Sequence, residues 1–281
     1  ALYQMADALS YRWGKSRMGQ RMSFLWLIPV FLVLLFAMLY AGGSEFFADW
    51  FARFTEVIGD WMGVFISKLD LLFIIYLIFG LVIASVLLLQ ERKTRLLSID
   101  EASTDELHRQ RNRKFKGSQI GLKKEYRMAV LSMLSLNVLL LFVIVLEIKH
   151  VWFGFEWQGE MLKSMVHKGT WSLIVSIVLS IAISAWFFRR NLNFYPDGGR
   201  LKFLISIWIV LNLVMVISVG IRNYWYIYYF ALAYKRIGVY FFLVLCSFGL
   251  FSLWVKIRRT RSNWFLLRMN AAFFYIALLL M

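Results

Sequence analysis

Cysteine, proline, histidine and acidic residues are all scarce in this chain: one Cys, two Pro and three His in 281 residues, and 16 Asp or Glu against 32 Lys or Arg. A single thiol, Cys246, permits no disulfide within the chain and no cysteine-based metal site. Lying inside an apolar run, it reads as a small buried hydrophobe. Two prolines suit a helical protein. None of the three histidines lies in the middle of an apolar run, which excludes a haem held between two membrane-embedded histidines of this chain and argues against a quinol-oxidising cytochrome subunit. There is no Walker A sequence, no glycine-rich dinucleotide loop and no His-Glu-x-x-His. No catalytic residue, metal or cofactor is assigned.

What the chain has in excess is grease. It is 61% hydrophobic and 18% aromatic, whereas a soluble domain is about 45–50% apolar. The formal charge of +16 sits in short segments beside apolar runs. There it reads as a positive-inside signal and as attraction to anionic headgroups, not as a nucleic-acid surface. The first apolar run is too long for the core of a signal peptide. A start at Ala1 and an end inside an apolar run point to a piece of a longer chain.

Residues 91–127 hold eleven Lys or Arg and six Asp or Glu between two long apolar runs. A segment so polar does not lie in hydrocarbon, and about 20 apolar residues span a bilayer. Counting outward from this loop predicts an all-α, polytopic transmembrane bundle forming a single domain. About seven spans are expected, near 22–42 (with Pro29 in its first third), 69–90, 128–148, 170–188, 203–221, 238–256 and 264–281. Within the loop, Ser98 followed by Asp100 and Glu101 predicts a short helix over 98–108. In 45–66, Glu45, Asp49, Arg53, Glu56 and Asp60 recur opposite Phe47, Trp50, Phe51, Phe54, Ile58, Trp61 and Phe65. This is the pattern of an amphipathic helix lying at the membrane interface.

Segments expected on one side, namely 1–21, 91–127, 189–202 and the stretch from Lys256 to Arg261, hold 4, 11, 4 and 4 Lys or Arg. The alternate segments 43–68, 149–168 and 222–237 hold 2, 3 and 3. The basic side is therefore assigned to the cytoplasm.

The remaining polar groups gather on the other side. Glu147, His150, Glu156, Glu160 and His167 face Arg222, Lys235 and Arg236 across two short aromatic connections. Ion pairs and headgroup contacts at helix ends would explain them; so would a proton or substrate gate, and a metal site would need three or four of them to converge. Asn137 and Asn212 lie inside spans, where asparagine commonly bonds between helices. Ser172, Ser176, Ser180 and Ser184 form a stripe at fourth-residue spacing that suits close helix packing, with a polar conduit as the alternative.

Several stretches of the latter half resemble a known family. They are Val166-His-Lys-Gly-Thr-Trp-Ser-Leu173, Trp186-Phe-Phe-Arg-Arg-Asn-Leu-Asn193, Ile221-Arg-Asn-Tyr-Trp-Tyr226 and, most specifically, Phe230-Ala-Leu-Ala-Tyr-Lys-Arg236. They are similar to a family of bacterial multi-pass membrane proteins catalogued as a domain of unknown function, with a tyrosine-Gly-Leu-Thr-x-x-Arg signature. The chain departs from that signature at Ala231 and Ala233, where glycine and threonine would stand. The resemblance implies a bacterial inner-membrane location and no particular activity. Three classes of function stay open. The first is a non-catalytic accessory or scaffold subunit contacting lipids and other membrane subunits, favoured because the span centres lack charge. The second is a permease, and the third an integral-membrane enzyme using the outer Glu/His/Arg set.

Overall fold

In the computed structural model, residues 20–58, 104–107, 122–153, 169–188, 191–196 and 198–280 are described. They form seven α-helices and, among the described residues, no strand. The order is α1 (Gln20–Gly43), α2 (Glu45–Ile58), α3 (Leu122–Glu147) continuing into a π-helical turn (Ile148–Trp152), α4 (Thr170–Phe187), α5 (Gly199–Phe230), α6 (Tyr234–Arg258) and α7 (Asn263–Leu280).

Among the described residues, four stretches are long and apolar enough to cross a membrane: Leu122–Trp152, Thr170–Phe187, Gly199–Phe230 and Tyr234–Arg258. This corrects the expectation of about seven spans. The apolar parts of α1 and α7, Leu27–Gly43 and Asn263–Leu279, are shorter; at 1.5 Å per residue each is about 26 Å long or less, under the ~30 Å of a bilayer core. The expected span at 69–90 lies outside the described residues, as do Trp61 and Phe65 of the 45–66 segment.

Helix boundaries differ from the hydropathy limits where charged residues have somewhere to go. α3 begins at Leu122 rather than near 128, because Leu122 and Tyr126 pack against the core while Lys123, Lys124 and Arg127 stay exposed on the same turns. α5 runs to Phe230, nine residues beyond the expected end, through Arg222 and the whole aromatic stretch. At 32 residues it is about 48 Å long. Residues 104–107 are not helical. They run antiparallel to the turn between α6 and α7, with Leu107 N–H donating to Thr260 C=O (3.1 Å) and Ser262 N–H to Asp105 C=O (2.9 Å). Asp105 also accepts from Arg268 at 2.7 Å.

The core is built on α3 and α5, which run parallel side by side with α1 and α4 against them. Phe36, Met133, Leu136, Leu140, Leu173, Ile177, Ile205 and Trp208 are fully or almost fully buried there. Phe36 meets Trp208 edge-on at 5.6 Å. Of the serine stripe, Ser176, Ser180 and Ser184 are buried. Ser176 and Ser180 turn back on their own helix, donating to Leu173 C=O and Ser176 C=O at 2.7 Å each. The stripe thus lets α4 approach its neighbours closely. α6 packs on α5 and α4, and α7 packs on α6 through stacked Phe248 and Phe273, 3.8 Å apart.

Candidate functional site

Four helices meet at one end of the bundle around a buried polar knot. α3 brings Glu147, its last regular residue before the π turn. α5 brings Arg222 and Ser218, one helical turn apart and so on one face. α1 brings the carbonyl of its final residue, Gly43, and Gly169, adjoining the start of α4, lies against that carbonyl. Arg222 Nε donates to Glu147 Oε2 at 2.8 Å, and its Nη2 donates to the other carboxylate oxygen. Arg222 Nη1 donates to Gly43 C=O at 2.7 Å. Ser218 Oγ donates to Glu147 Oε2 at 3.1 Å and accepts from Trp152 Nε1 at 3.3 Å. Both charged side chains are buried, Glu147 at 0% and Arg222 at 3% exposure.

This geometry is a two-pronged charge-assisted pair, the strongest form of side-chain hydrogen bonding. It is also why α5 does not stop at Arg222: an arginine satisfied by a carboxylate and a carbonyl has no need to reach water. The approach of the helix ends depends on two glycines. A Cβ on Gly169 would lie 2.6 Å from Gly43 O and 3.3 Å from Arg222 Nη1, and one on Gly43 would lie 2.7 Å from Leu173 Cδ2.

Around the knot, α2 folds over α3. Phe47 is buried, and Phe46 stacks on the His150 ring at 4.2 Å. His150 Nδ1 lies 2.9 Å from Leu146 C=O. Trp50 and Phe54 of α2 remain partly exposed. Arg236 is half-buried, with its guanidinium 4.1 Å from the Tyr226 ring centre, and its carbonyl accepts from Asn223 Nδ2 at 3.0 Å. Lys235 is exposed. Thus Glu147 and Arg222 are brought together with their charges neutralised, His150 and Arg236 sit apart from them on aromatic rings, and Glu156, Glu160 and His167 lie outside the described residues. No group of three or more His, Cys, Asp or Glu could hold a metal among the described residues.

Asn137 Nδ2 reaches across from α3 to Leu204 C=O of α5 at 3.0 Å while also donating to Met133 C=O of its own helix at 2.7 Å. Asn212 Nδ2 donates to Trp208 C=O, one turn back on the same helix.

Sequence reasoning placed no charge at the span centres, with Glu147 and Lys256 at span ends. The structure buries three: Glu147, Arg222 and Lys256, the last at 0% exposure. Lys256, read in the sequence as part of a basic connector, donates to Ala185 C=O at 3.2 Å and to the Asn263 side chain, tying α4, α6 and α7 together at the other end of the bundle. Ser218, Trp152 and Gly43 were not singled out either. The one signal for Ser218 was its four-residue spacing from Arg222.

Four membrane-length apolar helices, with charges buried only where a partner or carbonyl meets them, define an all-helical membrane protein. The chain belongs to the family described as Domain of unknown function (DUF4153), whose model matches residues 2–281. Neither a curated protein nor a solved structure matches it.

Proposed function

We propose that this chain is a non-catalytic accessory or scaffold component of a bacterial inner-membrane complex, with the Glu147–Arg222 end outside and the basic connectors in the cytoplasm. α2 then lies along the outer interface. One observation carries the reading: the charged pair is spent inside the fold. Both carboxylate oxygens of Glu147 are taken up by Arg222 and Ser218, and the third bonded nitrogen of Arg222 is held by Gly43. A gate or an acid–base centre needs a charged group that can reach substrate or proton, and this pair is committed to holding α1, α3 and α5 together.

A surface for partners lies beside it. Tyr224, Tyr228, Phe230, Leu232 and Tyr234 are exposed over the junction of α5 and α6, Tyr234 at 93%. Aromatic residues are favoured both at the membrane interface and in protein contacts.

The test is to purify the full-length protein in mild detergent, with and without a photo-reactive residue at Tyr228 or Tyr234. A membrane subunit of fixed stoichiometry, cross-linked from these positions, supports the scaffold reading. A solitary protein that moves a solute in proteoliposomes, and loses that activity in Glu147→Gln while remaining folded, overturns it in favour of a transporter. That second reading draws on the π-helical turn directly after Glu147, a distortion often found at functional sites.

A further inference from the structure

At the end of the bundle opposite the Glu147–Arg222 knot, the start of α5 and the end of α6 run antiparallel and leave a groove of about 360 Å³. Its rim carries Lys202 of α5 and Arg258 of α6. Below them the walls are Phe203, Ile205 and Ile209 on one side and Trp254 and Ile257 on the other, with Ser206 between. Phe203 is the exposed part of this apolar lining, and Ile205, Ile209 and Ile257 are buried behind it. The groove is therefore two-part: cationic at its mouth and apolar beneath.

Neither cation is in an ion pair among the described residues, and no carboxylate lines the groove. Arg258 is exposed and sits with its guanidinium 4.9 Å from the Trp254 ring centre, which positions it on the apolar wall without neutralising it. Ser206 Oγ is turned to its own helix, donating to Lys202 C=O at 2.8 Å. Phe203 is 67% exposed on the outer surface of a helix of membrane-crossing length, where hydrocarbon is its natural neighbour.

We propose that this groove is a binding site for an anionic glycerophospholipid, with the phosphate held between Lys202 and Arg258 and an acyl chain laid along Phe203 and Trp254. Charge selects the headgroup class, since paired basic residues between membrane helices suit anionic lipids. The apolar floor selects a lipid over a soluble phosphate, because a water-soluble anion would leave those walls empty. The bound lipid would bridge α5 and α6 at the end where no direct ion pair joins them.

The test is native mass spectrometry of the detergent-purified full-length protein, titrated separately with phosphatidylglycerol, phosphatidylcholine and glycerol 3-phosphate. Retention of phosphatidylglycerol over phosphatidylcholine is expected, with no displacement by glycerol 3-phosphate. In Lys202→Gln/Arg258→Gln the affinity for phosphatidylglycerol should fall about thirtyfold, two basic contacts being removed. Lys235→Gln, at the far end, should leave it unchanged. Phe203→Ser, which removes the exposed apolar wall while both cations remain, should also lose binding, and it stands as the deciding variant if the double substitution fails to fold. Equal retention of the two lipids, or undiminished phosphatidylglycerol on both the double variant and Phe203→Ser, overturns the proposal. Displacement by glycerol 3-phosphate also overturns it, since the site would then be one for a soluble anion.

Discussion

Glu147 and Arg222 stand 75 residues apart in the chain and meet face to face, the guanidinium closing on both carboxylate oxygens while its third bonded nitrogen holds the last carbonyl of α1. The pair thus joins α1, α3 and α5 at one point, with Ser218 and Trp152 bracing it. In a low-dielectric interior such a pair offsets a large desolvation cost only when its remaining hydrogen bonds are made. Here they are.

Removing one partner should therefore be far worse than removing both. Arg222→Met leaves a buried carboxylate with Ser218 as its remaining partner and should destabilise the protein by about 3 kcal/mol or more. The double change Glu147→Leu/Arg222→Met should recover most of that loss. Thermal unfolding of the purified full-length protein checks this, each kcal/mol shifting the midpoint by roughly 2–4 °C. Arg222→Lys should fall between the two, since a lysine cannot form the two-pronged contact. If the double variant is no better than Arg222→Met, the pair is not the joint described.

The glycines beside the pair should rank by what their missing side chains would strike. A methyl at Gly169 meets the rigid backbone oxygen of Gly43, the same oxygen that Arg222 grips, whereas a methyl at Gly43 meets the flexible end of Leu173. Overpacking generally costs about 1–3 kcal/mol. Gly169→Ala should reach the upper part of that range and Gly43→Ala the lower, measured by the same unfolding midpoint. A reversed order would place the strain in the α4 core instead.

The helical class was legible because periodic grease needs no knowledge of neighbours. α4 and α6 lie within four residues of their hydropathy limits, and the acidic and basic residues of the long connector mark it as lying outside hydrocarbon. What hydropathy misread was charge with a partner. Arg222 looks like the end of a span when taken alone and becomes the middle of a helix once Glu147 is known to face it. Lys256 looks like a connector cation until Ala185 C=O and Asn263 are seen around it. The stretch 98–108 suggested a capped helix, and the pairing of its residues 104–107 with Thr260 and Ser262 depends on a turn more than 150 residues away. Each of these is a long-range contact, which no local pattern encodes.

The link between α5 and α6 carries a strain that two substitutions should relieve. Ala231 holds φ 62° and ψ 173°, a region that essentially only glycine occupies freely. Ala233 is the N-cap of α6 with extended backbone and no side-chain bond to the helix. Ala231→Gly should stabilise by about 1 kcal/mol. Ala233→Thr would add an oxygen able to accept from the N–H of Lys235 or Arg236 and should contribute about another 1 kcal/mol. Unfolding midpoints of the singles and the double check both effects, and a destabilising Ala231→Gly would mean that the turn does not hold this conformation.

The orientation proposed for the bundle makes the last prediction a matter of access. Lys235 is exposed at the Glu147–Arg222 end, and Lys123 is exposed on the first turn of α3, at the other end. A membrane-impermeant amine reagent added to intact cells should modify Lys235 and spare Lys123, while both should react once the membrane is opened. The basis is the excess of basic residues in the connectors around Lys123, which translocate poorly. Peptide mass spectrometry after labelling reads both sites in one sample, so each serves as the control for the other. Modification of Lys123 in intact cells, with Lys235 protected, would invert the bundle and place the buried ion pair on the cytoplasmic side. The lipid groove would then open toward the outer leaflet, and its choice of anionic headgroup would have to be met from there.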